Sequence, residues 1–469
     1  MMTLAATRAD GLGGRLLAMV NAKCLADKLG CRFGFTWNRR SIDDMQFHIV
    51  DSVDKVFAAG FIEKHWLGET IDAARYGVLD GTRFTRSSLA ADARRNGSQG
   101  WICDDFRILK SFRQGWFRAM LPANRSARSR HRTFGTLGFS EPVRATIAAA
   151  DGRRFSRPMA ALHLRSGDII HGNYRSQMEF CEKVIPAPLA KAIVSKLASK
   201  GLATLVIGQD RATLDYLRSE TGAFLSDDFG AGQFEDGTLK AFFEMALMAR
   251  CRQIYAGSSV FATMSSVMGG IRVLRPKALF GDRGTAAAIL DELKARQSDY
   301  HPLEAAFGYQ SAFLLMEDSI GPAQARGILE KAAALDPQNP AYALKMAAGY
   351  FREQDYRGGE AILKAFMLRE IDAGAENSMQ IMQVLTGPSW RGHVMAGDFE
   401  LYFAAARAGC PYAAACSAHI LHTALGRTDA ALAMAALSRK AEPANRLFRD
   451  IELALRTAAA ANDGSPLRV

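Results

Sequence analysis

The sequence predicts two α/β domains built on parallel sheets, followed by an all-α region. Strand and helix patterns alternate with short loops near the N-terminus and again over residues 158–280, which is typical of doubly wound sheets. From residue 303 to about residue 461, alanine is abundant and no convincing strand pattern occurs. A chain of 469 residues is long enough for about three domains. We therefore expect domains over residues 1–152, 153–300 and 301–469.

The first domain opens with a strand, a glycine-rich turn, a helix and a second strand. The first strand is expected over residues 2–6, the helix over 16–29 and the second strand over 31–37. The turn, Gly11-Leu-Gly-Gly-Arg15, lacks the glycine at position 16 that a dinucleotide fingerprint requires. What remains is a helix start whose backbone N–H groups can meet an anion. The alternative is a tight turn that needs glycine for its backbone alone.

The second domain carries the most informative motif of the chain. A buried strand runs into His163-Leu-Arg165-Ser-Gly167-Asp168. Ligands of open α/β sheets bind beyond the carboxyl ends of the strands, and a planar guanidinium there can hold two phosphate oxygens at once. The motif predicts an anion clamp, with an ordinary surface turn as the alternative. The pattern predicts strands over 159–165, 203–207, 223–225 and 253–256, and helices over 187–200, 211–221, 239–249 and 260–268.

A third segment, residues 244–261, combines a helix, a strand and a second helix start. The segment begins with Glu244, its first helix ends in Arg-Cys-Arg, and the strand delivers Ser258 and Ser259 to the next helix. A serine at this place can cap the helix and also donate to a phosphate. Capping alone is the alternative interpretation.

The all-α region contains two similar helix–stop–restart segments. One ends in Asp-Pro-Gln-Asn-Pro340, and the other, over residues 430–443, ends in Ala-Glu-Pro443. Pro337 and Pro443 stand about three periods of the 34-residue tetratricopeptide repeat (TPR) apart. This spacing predicts a TPR-like solenoid that offers a concave surface to a protein partner. An irregular helical bundle is the alternative.

The formal net charge of +11 favours acidic partners. Part of the excess is local, because residues 122–133 carry four arginines and no acid: Arg125, Arg128, Arg130 and Arg132. No zinc-finger spacing and no aromatic RNA-binding motif accompanies them, so we expect no nucleic-acid partner. Nucleotide phosphates, an anionic glycan or an anionic membrane surface fit the charge equally well. The alternative is a solvated basic loop.

Several motifs of known chemistry are missing. The sequence contains no P-loop, no Asp-x-Asp, no Gly-x-Ser-x-Gly elbow and no His/Cys cluster with zinc-ligand spacing. We therefore expect no metal and no cofactor. Seven scattered cysteines without a C-x-x-C pair suit a reducing compartment. With no signal-peptide pattern and no run of about 18 apolar residues, we expect a cytoplasmic protein, with the basic loop as a peripheral contact to the inner membrane.

Taken together, the three segments resemble the fucosyltransferase superfamily, which includes α-1,2-, α-1,6-, protein O- and nodulation fucosyltransferases. The resemblance covers about residues 1–280, and Ser226-Asp-Asp228 also matches the segment between the last two motifs. It implies an α/β GT-B-like fold of two Rossmann-like domains, here followed by the all-α TPR-like domain. It also implies GDP-fucose as donor, used without metal and with inversion at the anomeric carbon.

The resemblance assigns roles residue by residue. Arg165 would bind the donor diphosphate and stabilise the departing GDP, while His163 and Asp168 would shape the loop or contact the nucleotide. The implied donor-binding residues are Gly11, Gly13, Gly14, Arg15, Asp227, Asp228, Glu244, Ser258, Ser259 and Phe261. A carboxylate would suit the general base, but no single one stands out.

We therefore expect a metal-independent inverting glycosyltransferase that moves fucose from GDP-fucose to a glycan or glycolipid acceptor. The chemistry agrees, because a departing diphosphate needs preformed positive groups where its charge develops. The alternative is a non-catalytic scaffold that carries a degenerate transferase domain beside TPR-like repeats.

Overall fold

A computed structural model describes residues 2–39, 50–79, 86–95, 97–104, 123–172, 174–372, 378–387 and 394–463. The chain divides into two compact units. The first comprises residues 1–167 and 193–279, and the second comprises 168–192 and 280–469. The three predicted domain boundaries stay predictions.

Both sheets belong to the first unit, and every strand pair in them is parallel. One sheet has the order β2-β1-β4-β3 and the other β7-β6-β5-β8-β9. Parallel strands need covering helices on their faces, which agrees with the predicted α/β class. The strands are β1 (Thr3–Ala6), β2 (Arg32–Phe35), β3 (Tyr76–Val78), β4 (Gly100–Ile102), β5 (Met159–His163), β6 (Ala203–Ile207), β7 (Phe224–Leu225), β8 (Ile254–Ala256) and β9 (Val273–Leu274).

Helices account for most of the remaining described chain. In chain order they are α1 (Leu12–Leu29), α2 (Val53–Val56), α3 (Ala59–His65), α4 (Arg86–Arg95), α5 (Ala123–Phe134), α6 (Glu141–Asp151), α7 (Gly167–Ile170), α8 (Ala187–Ala198), α9 (Arg211–Thr221), α10 (Gly237–Ala249), α11 (Val260–Gly269), α12 (Lys277–Arg296, broken at Gly281), α13 (Pro302–Met316), α14 (Pro322–Leu335), α15 (Pro340–Arg352), α16 (Tyr356–Asp372), α17 (Ser378–Thr386), α18 (Phe399–Arg407), α19 (Pro411–Thr423), α20 (Thr428–Ala441) and α21 (Arg446–Asp463).

The core of the first unit forms where apolar strands meet apolar helix faces. All four residues of β1 and all five of β5 are buried. Helix α1 is buried along nearly its whole length, so it lies in the core and not on the surface. A helix that is apolar on all sides is typical of such a position.

Helix α5 corrects the prediction of a basic loop at residues 122–133. The segment is helical over Ala123–Phe134 and packs between α1 and α11. On α5, Ser129 contacts the Cys24 thiol at 3.2 Å, and His131 contacts the Val267 carbonyl at 3.1 Å. Arg128 and Arg132 lie exposed, one helical turn apart, whereas the side chain of Arg125 lies outside the described residues.

The second unit is helical from α13 onward, without a strand in the described part of residues 302–463. Four of its helices have proline at the first helical position: Pro302, Pro322, Pro340 and Pro411. Proline is favoured there because its missing N–H would have had no partner in the helix. The TPR-like repeat stays a prediction. Among the described helices, none combines the length and apolar character needed to span a bilayer.

Candidate functional site

The turn after β1 brings the first sheet close to the second. Helix α1 begins at Leu12, four residues before the predicted start, so Gly13 and Gly14 lie in its first turn. A Cβ on Gly13 would lie 2.9 Å from the Phe261 Cα and 3.1 Å from the Phe261 N. Glycine is required here because the backbones of α1 and α11 come too close for any side chain.

The early helix start has a local cause in Asp10. A Cβ on Gly14 would lie 2.5 Å from the Asp10 carboxylate oxygens, so this carboxylate lies over the first turn of α1. Negative charge at a helix N-terminus is stabilising. The N-cap residue, Gly11, makes no side-chain capping hydrogen bond. The Asp10 carboxylate, and not the N-cap residue, therefore lies over the first turn of α1.

Arg15 is 2 % exposed, and its guanidinium forms hydrogen bonds with backbone carbonyls. It donates to the carbonyls of Asp10 at 2.6 Å, Asn38 at 2.6 Å and Ala9 at 2.9 Å. It also lies over the Trp37 ring at 5.2 Å. This geometry assigns Arg15 to shaping the loop after β1, and direct donor contact by Arg15 stays a prediction.

Asp104, which the sequence analysis did not select, fixes the same loop from the neighbouring strand. Its carboxylate accepts from the Thr7 N–H at 2.7 Å and also from the Thr7 hydroxyl. Its carbonyl accepts from Arg8, which forms an ion pair with Asp10. Asp104 stands two residues after β4, and this strand is too short for its sequence pattern to reveal it.

His163 is the last residue of β5 and lies against α11. Its ring stacks on Phe261 with centroids 5.3 Å apart. Burial, followed by the positive charge of Arg165, lowers the pKa of His163 to about 3, so the imidazole is neutral. Its Nδ1 is buried and has no hydrogen-bond partner among the described residues. A neutral ring of this kind can contact a ligand but is a weak base.

Arg165 is the accessible side chain of its motif. Leu164, Ser166, Gly167 and Asp168 are buried, whereas Arg165 is half-exposed. Ser166 and Asp168 are 2 % and 3 % exposed. Helix α7 begins at Gly167, and Asp168 lies in its first turn. The buried neighbours restrict the backbone from which the guanidinium extends.

The two serines that follow β8 have different environments. The Ser259 hydroxyl accepts from the Ala262 N–H at 3.3 Å and thereby caps α11, as predicted for a serine at this place. Ser258 is half-exposed and precedes the cap. Because Ala256 pairs with His163 across the sheet, both serines follow the strand that adjoins β5. Phosphate binding by either serine stays a prediction.

Glu244 accepts a hydrogen bond from the Ser226 hydroxyl at 2.7 Å. Burial raises the pKa of Glu244 to about 7, although this hydrogen bond and Lys240 oppose the rise. The carboxyl group therefore changes charge near neutral pH. Glu244 stands on α10 and Ser226 directly follows β7, so the pair joins a helix to the end of a strand.

Asp227 and Asp228 are occupied by cations of the same unit. Asp227 forms ion pairs with Arg211 and Lys240, and Asp228 pairs with Arg218 at 2.6 Å. Asp228 also accepts from the Leu225 N–H at 2.9 Å. Both arginines stand on α9, so these contacts join the β7 turn to that helix. Donor binding by either aspartate stays a prediction.

The structure thus brings residues of the three predicted motifs together at the carboxyl ends of β1, β5 and β8. Gly13 and His163 both contact Phe261, from opposite sheets. Arg165 lies two residues beyond His163, and Gly13 and Phe261 stand in the first turns of α1 and α11. Helix N-termini and guanidinium groups both favour anions. Phosphate binding at this place and its independence of metal stay predictions.

No protein-family model and no curated protein matches this chain. Among solved structures, the chain is similar to the Bradyrhizobium fucosyltransferase NodZ, at 13% identity and TM-score 0.33, covering 56% of this chain and 91% of NodZ. It is similar to an Arabidopsis thaliana FUT1 variant in complex with GDP, at 12% identity and TM-score 0.39, covering 58% and 70%. It is also similar to POFUT1 in complex with GDP-fucose, at 10% identity and TM-score 0.32, covering 58% and 97%. These neighbours are fucosyltransferases, and the sequence motifs of this chain resemble the same superfamily. At TM-scores below 0.5, the likeness alone says nothing about activity or substrate.

Proposed function

We propose that this chain is an inverting glycosyltransferase that moves fucose from GDP-fucose to a glycan or glycolipid acceptor without a metal ion. One observation carries the proposal. Gly13 and His163 meet at Phe261, so the loop after β1 joins the Arg165 motif and the serines after β8 in one site. Fucose and GDP are the sugar and nucleotide that the sequence resemblance implies.

The reaction requires a stabilised leaving group. Breaking the bond between sugar and phosphate leaves negative charge on the diphosphate of GDP. Arg165 supplies a guanidinium for that charge, and the N-terminus of α11 supplies oriented backbone N–H groups. Such donors act best when they are already in place, and the buried residues around Arg165 restrict its backbone.

In this proposal His163 binds and does not transfer protons. With a pKa of about 3, its imidazole accepts a proton too weakly to activate an acceptor hydroxyl near neutral pH. Its Nδ1, which has no partner in the described part of the chain, and its stacking on Phe261 suit a contact with the nucleotide and support of the loop.

A nucleotide panel followed by a turnover assay tests the proposal. Purified protein is titrated with GDP, UDP, dTDP and CMP, and GDP should give the largest rise in melting temperature. GDP release is then measured from GDP-fucose with a mixture of glycan acceptors. Binding of GDP without turnover on any acceptor would favour the degenerate-transferase scaffold. Binding of none of the four nucleotides would contradict both interpretations of the site.

Two partner predictions accompany the proposal. The second unit is predicted to bind a protein partner through its helices, and the exposed Arg128 and Arg132 on α5 are predicted to meet an anionic membrane surface. Co-sedimentation with vesicles of anionic lipid tests the second prediction, and loss of binding at high salt is its expected signature.

A further inference from the structure

The segment that follows the Arg165 motif belongs to the helical unit. The boundary between the two units falls between Gly167 and Asp168, and residues 168–192 group with residues 280–469. Helix α7 runs across this boundary. The chain therefore passes from the proposed anion clamp into the helical unit within three residues of Arg165.

Apolar contacts hold this segment on α13. Ile169 and Ile170 are fully buried in a cluster with Phe180 and Val184 of the segment and Phe307 of α13. Leu303 of α13 packs against the same cluster. Removing aliphatic side chains of this size from water favours the folded state. The two isoleucines thus anchor α7 directly after the Arg165 motif.

Polar contacts fix the segment at two further points. The Arg175 Nε donates to the Asp336 carboxylate at 3.0 Å, and Asp336 is 4 % exposed. The Asn339 amide donates to the Arg175 carbonyl at 3.4 Å. At the other end of the segment, Glu304 of α13 accepts from the Ala187 N–H at 2.9 Å. The segment is therefore bound through both side chains and backbone.

Asp336 stands in one of the two similar turns of the sequence, and the second turn makes a different contact. In the first turn, Asp336 pairs with Arg175 of the segment, and Asn339 caps α15. In the second turn, Glu442 occupies the matching place before proline but pairs with Lys364 of α16 at 2.9 Å. The first turn thus binds the segment beyond Arg165, whereas the acid of the second turn pairs with another helix of the helical region.

We propose that the helical unit is a positioning element of the nucleotide site, in which the Asp336–Arg175 ion pair and the Ile169–Ile170 anchor set the backbone that carries Arg165. The proposal rests on the proposed function, because it assumes that Arg165 binds the nucleotide diphosphate. Asp336 and Arg175 are positioning residues and do not touch the ligand. Only three residues of chain lie between Arg165 and Ile169, so a shift of the anchor is transmitted to the guanidinium through a short tether.

Hydrogen exchange of the full-length, ligand-free protein tests the structural half of the proposal. Asp336→Asn and Arg175→Gln should each raise amide exchange across residues 169–177 by tenfold or more, because the segment loses its charged contact. The matched control, Glu442→Gln, removes the carboxylate of the second turn and should leave exchange in 169–177 unchanged. Unchanged exchange in both test variants overturns the proposal, whether or not the protein binds nucleotide.

GDP affinity tests the functional half. Each test variant should weaken GDP binding by on the order of 10-fold, since a misplaced guanidinium loses alignment with the phosphates. The double variant Asp336→Asn/Arg175→Gln should be no weaker than either single variant, because one ion pair is removed in all three. Glu442→Gln should bind GDP like the wild type.

The outcomes separate this proposal from the proposed function. Raised exchange with unchanged GDP affinity in both test variants overturns the positioning role while the proposed function stands. Additive losses in the double variant also overturn it, because the two residues then do not act as a pair. If the wild type binds none of GDP, UDP, dTDP and CMP, the proposed function fails, and the exchange data alone decide whether the helical unit holds the segment.

Discussion

The close approach of Gly13 to Phe261 makes Gly13→Ala the sharpest single test of the site. The added Cβ would lie 2.9 Å and 3.1 Å from two backbone atoms of Phe261, which cannot rotate away. Overpacking of this kind costs about 1–3 kcal/mol, while alanine recovers less than about 1 kcal/mol of helix propensity. We expect a net loss of about 1–2 kcal/mol in the free energy of unfolding.

The same displacement should weaken nucleotide binding, because Phe261 also supports His163 through ring stacking. We expect GDP affinity to fall by about tenfold, measured by calorimetric titration beside urea unfolding. Gly60→Ala is the matched control: Gly60 also lies in the first turn of a helix, but a Cβ there meets nothing within 4 Å. It should leave affinity unchanged and raise stability by about 0.5 kcal/mol. A Gly13→Ala protein with wild-type stability and affinity would refute the close approach as the basis of the site.

Three further predictions concern the reaction and its pH dependence. Arg165→Lys should lower the rate of GDP release about 100-fold with an unchanged melting temperature, because lysine cannot grip two phosphate oxygens; near-native turnover would remove Arg165 from its role. EDTA should leave turnover unchanged, and recovery of a lost rate by manganese would contradict the metal-free mechanism. Glu244 has a folded-state pKa of about 7, above its ordinary 4.5, so the native protein holds a proton that the unfolded chain has released. The contribution of Glu244 to stability should therefore fall as pH rises from 4.5 to 7, and Glu244→Gln should remove about 2 kcal/mol of this fall from the pH dependence of the free energy of unfolding; equal slopes for variant and wild type would argue against a neutral Glu244.

Long apolar strands and strongly periodic helices could be predicted from the sequence. The strand at Ala203–Ile207 and the helix at Arg211–Thr221 have their predicted bounds. The strands at Tyr76–Val78, Gly100–Ile102 and Val273–Leu274 escaped prediction. Two or three residues are too few to show an alternating pattern, and such strands form because a neighbouring strand offers its hydrogen bonds.

The candidate site shows the same division between local and tertiary information. The cap at Ser259 follows from local sequence, since serine before an apolar helix is a common N-cap. The structural role of Arg15 could not be predicted, because its hydrogen-bond partners include the carbonyl of Asn38, a residue 23 positions away. The Arg175–Asp336 pair spans 161 positions. Only the folded chain shows that a turn of the helical unit holds the segment beyond Arg165.

The hydrogen bonds of Arg15 have a consequence for how the amino-acid sequence of the loop after β1 can vary. Among the described residues, Arg15 donates to three main-chain oxygens, at Ala9, Asp10 and Asn38. Every amino acid supplies such an oxygen, so the identity of the side chains at positions 9 and 38 does not matter to this contact. In a saturation mutagenesis library selected for folded protein, position 15 should accept almost no replacement, whereas positions 9 and 38 should accept many. The contacts of Arg15 therefore constrain the backbone of the loop, while they leave the side chains at positions 9 and 38 free to vary.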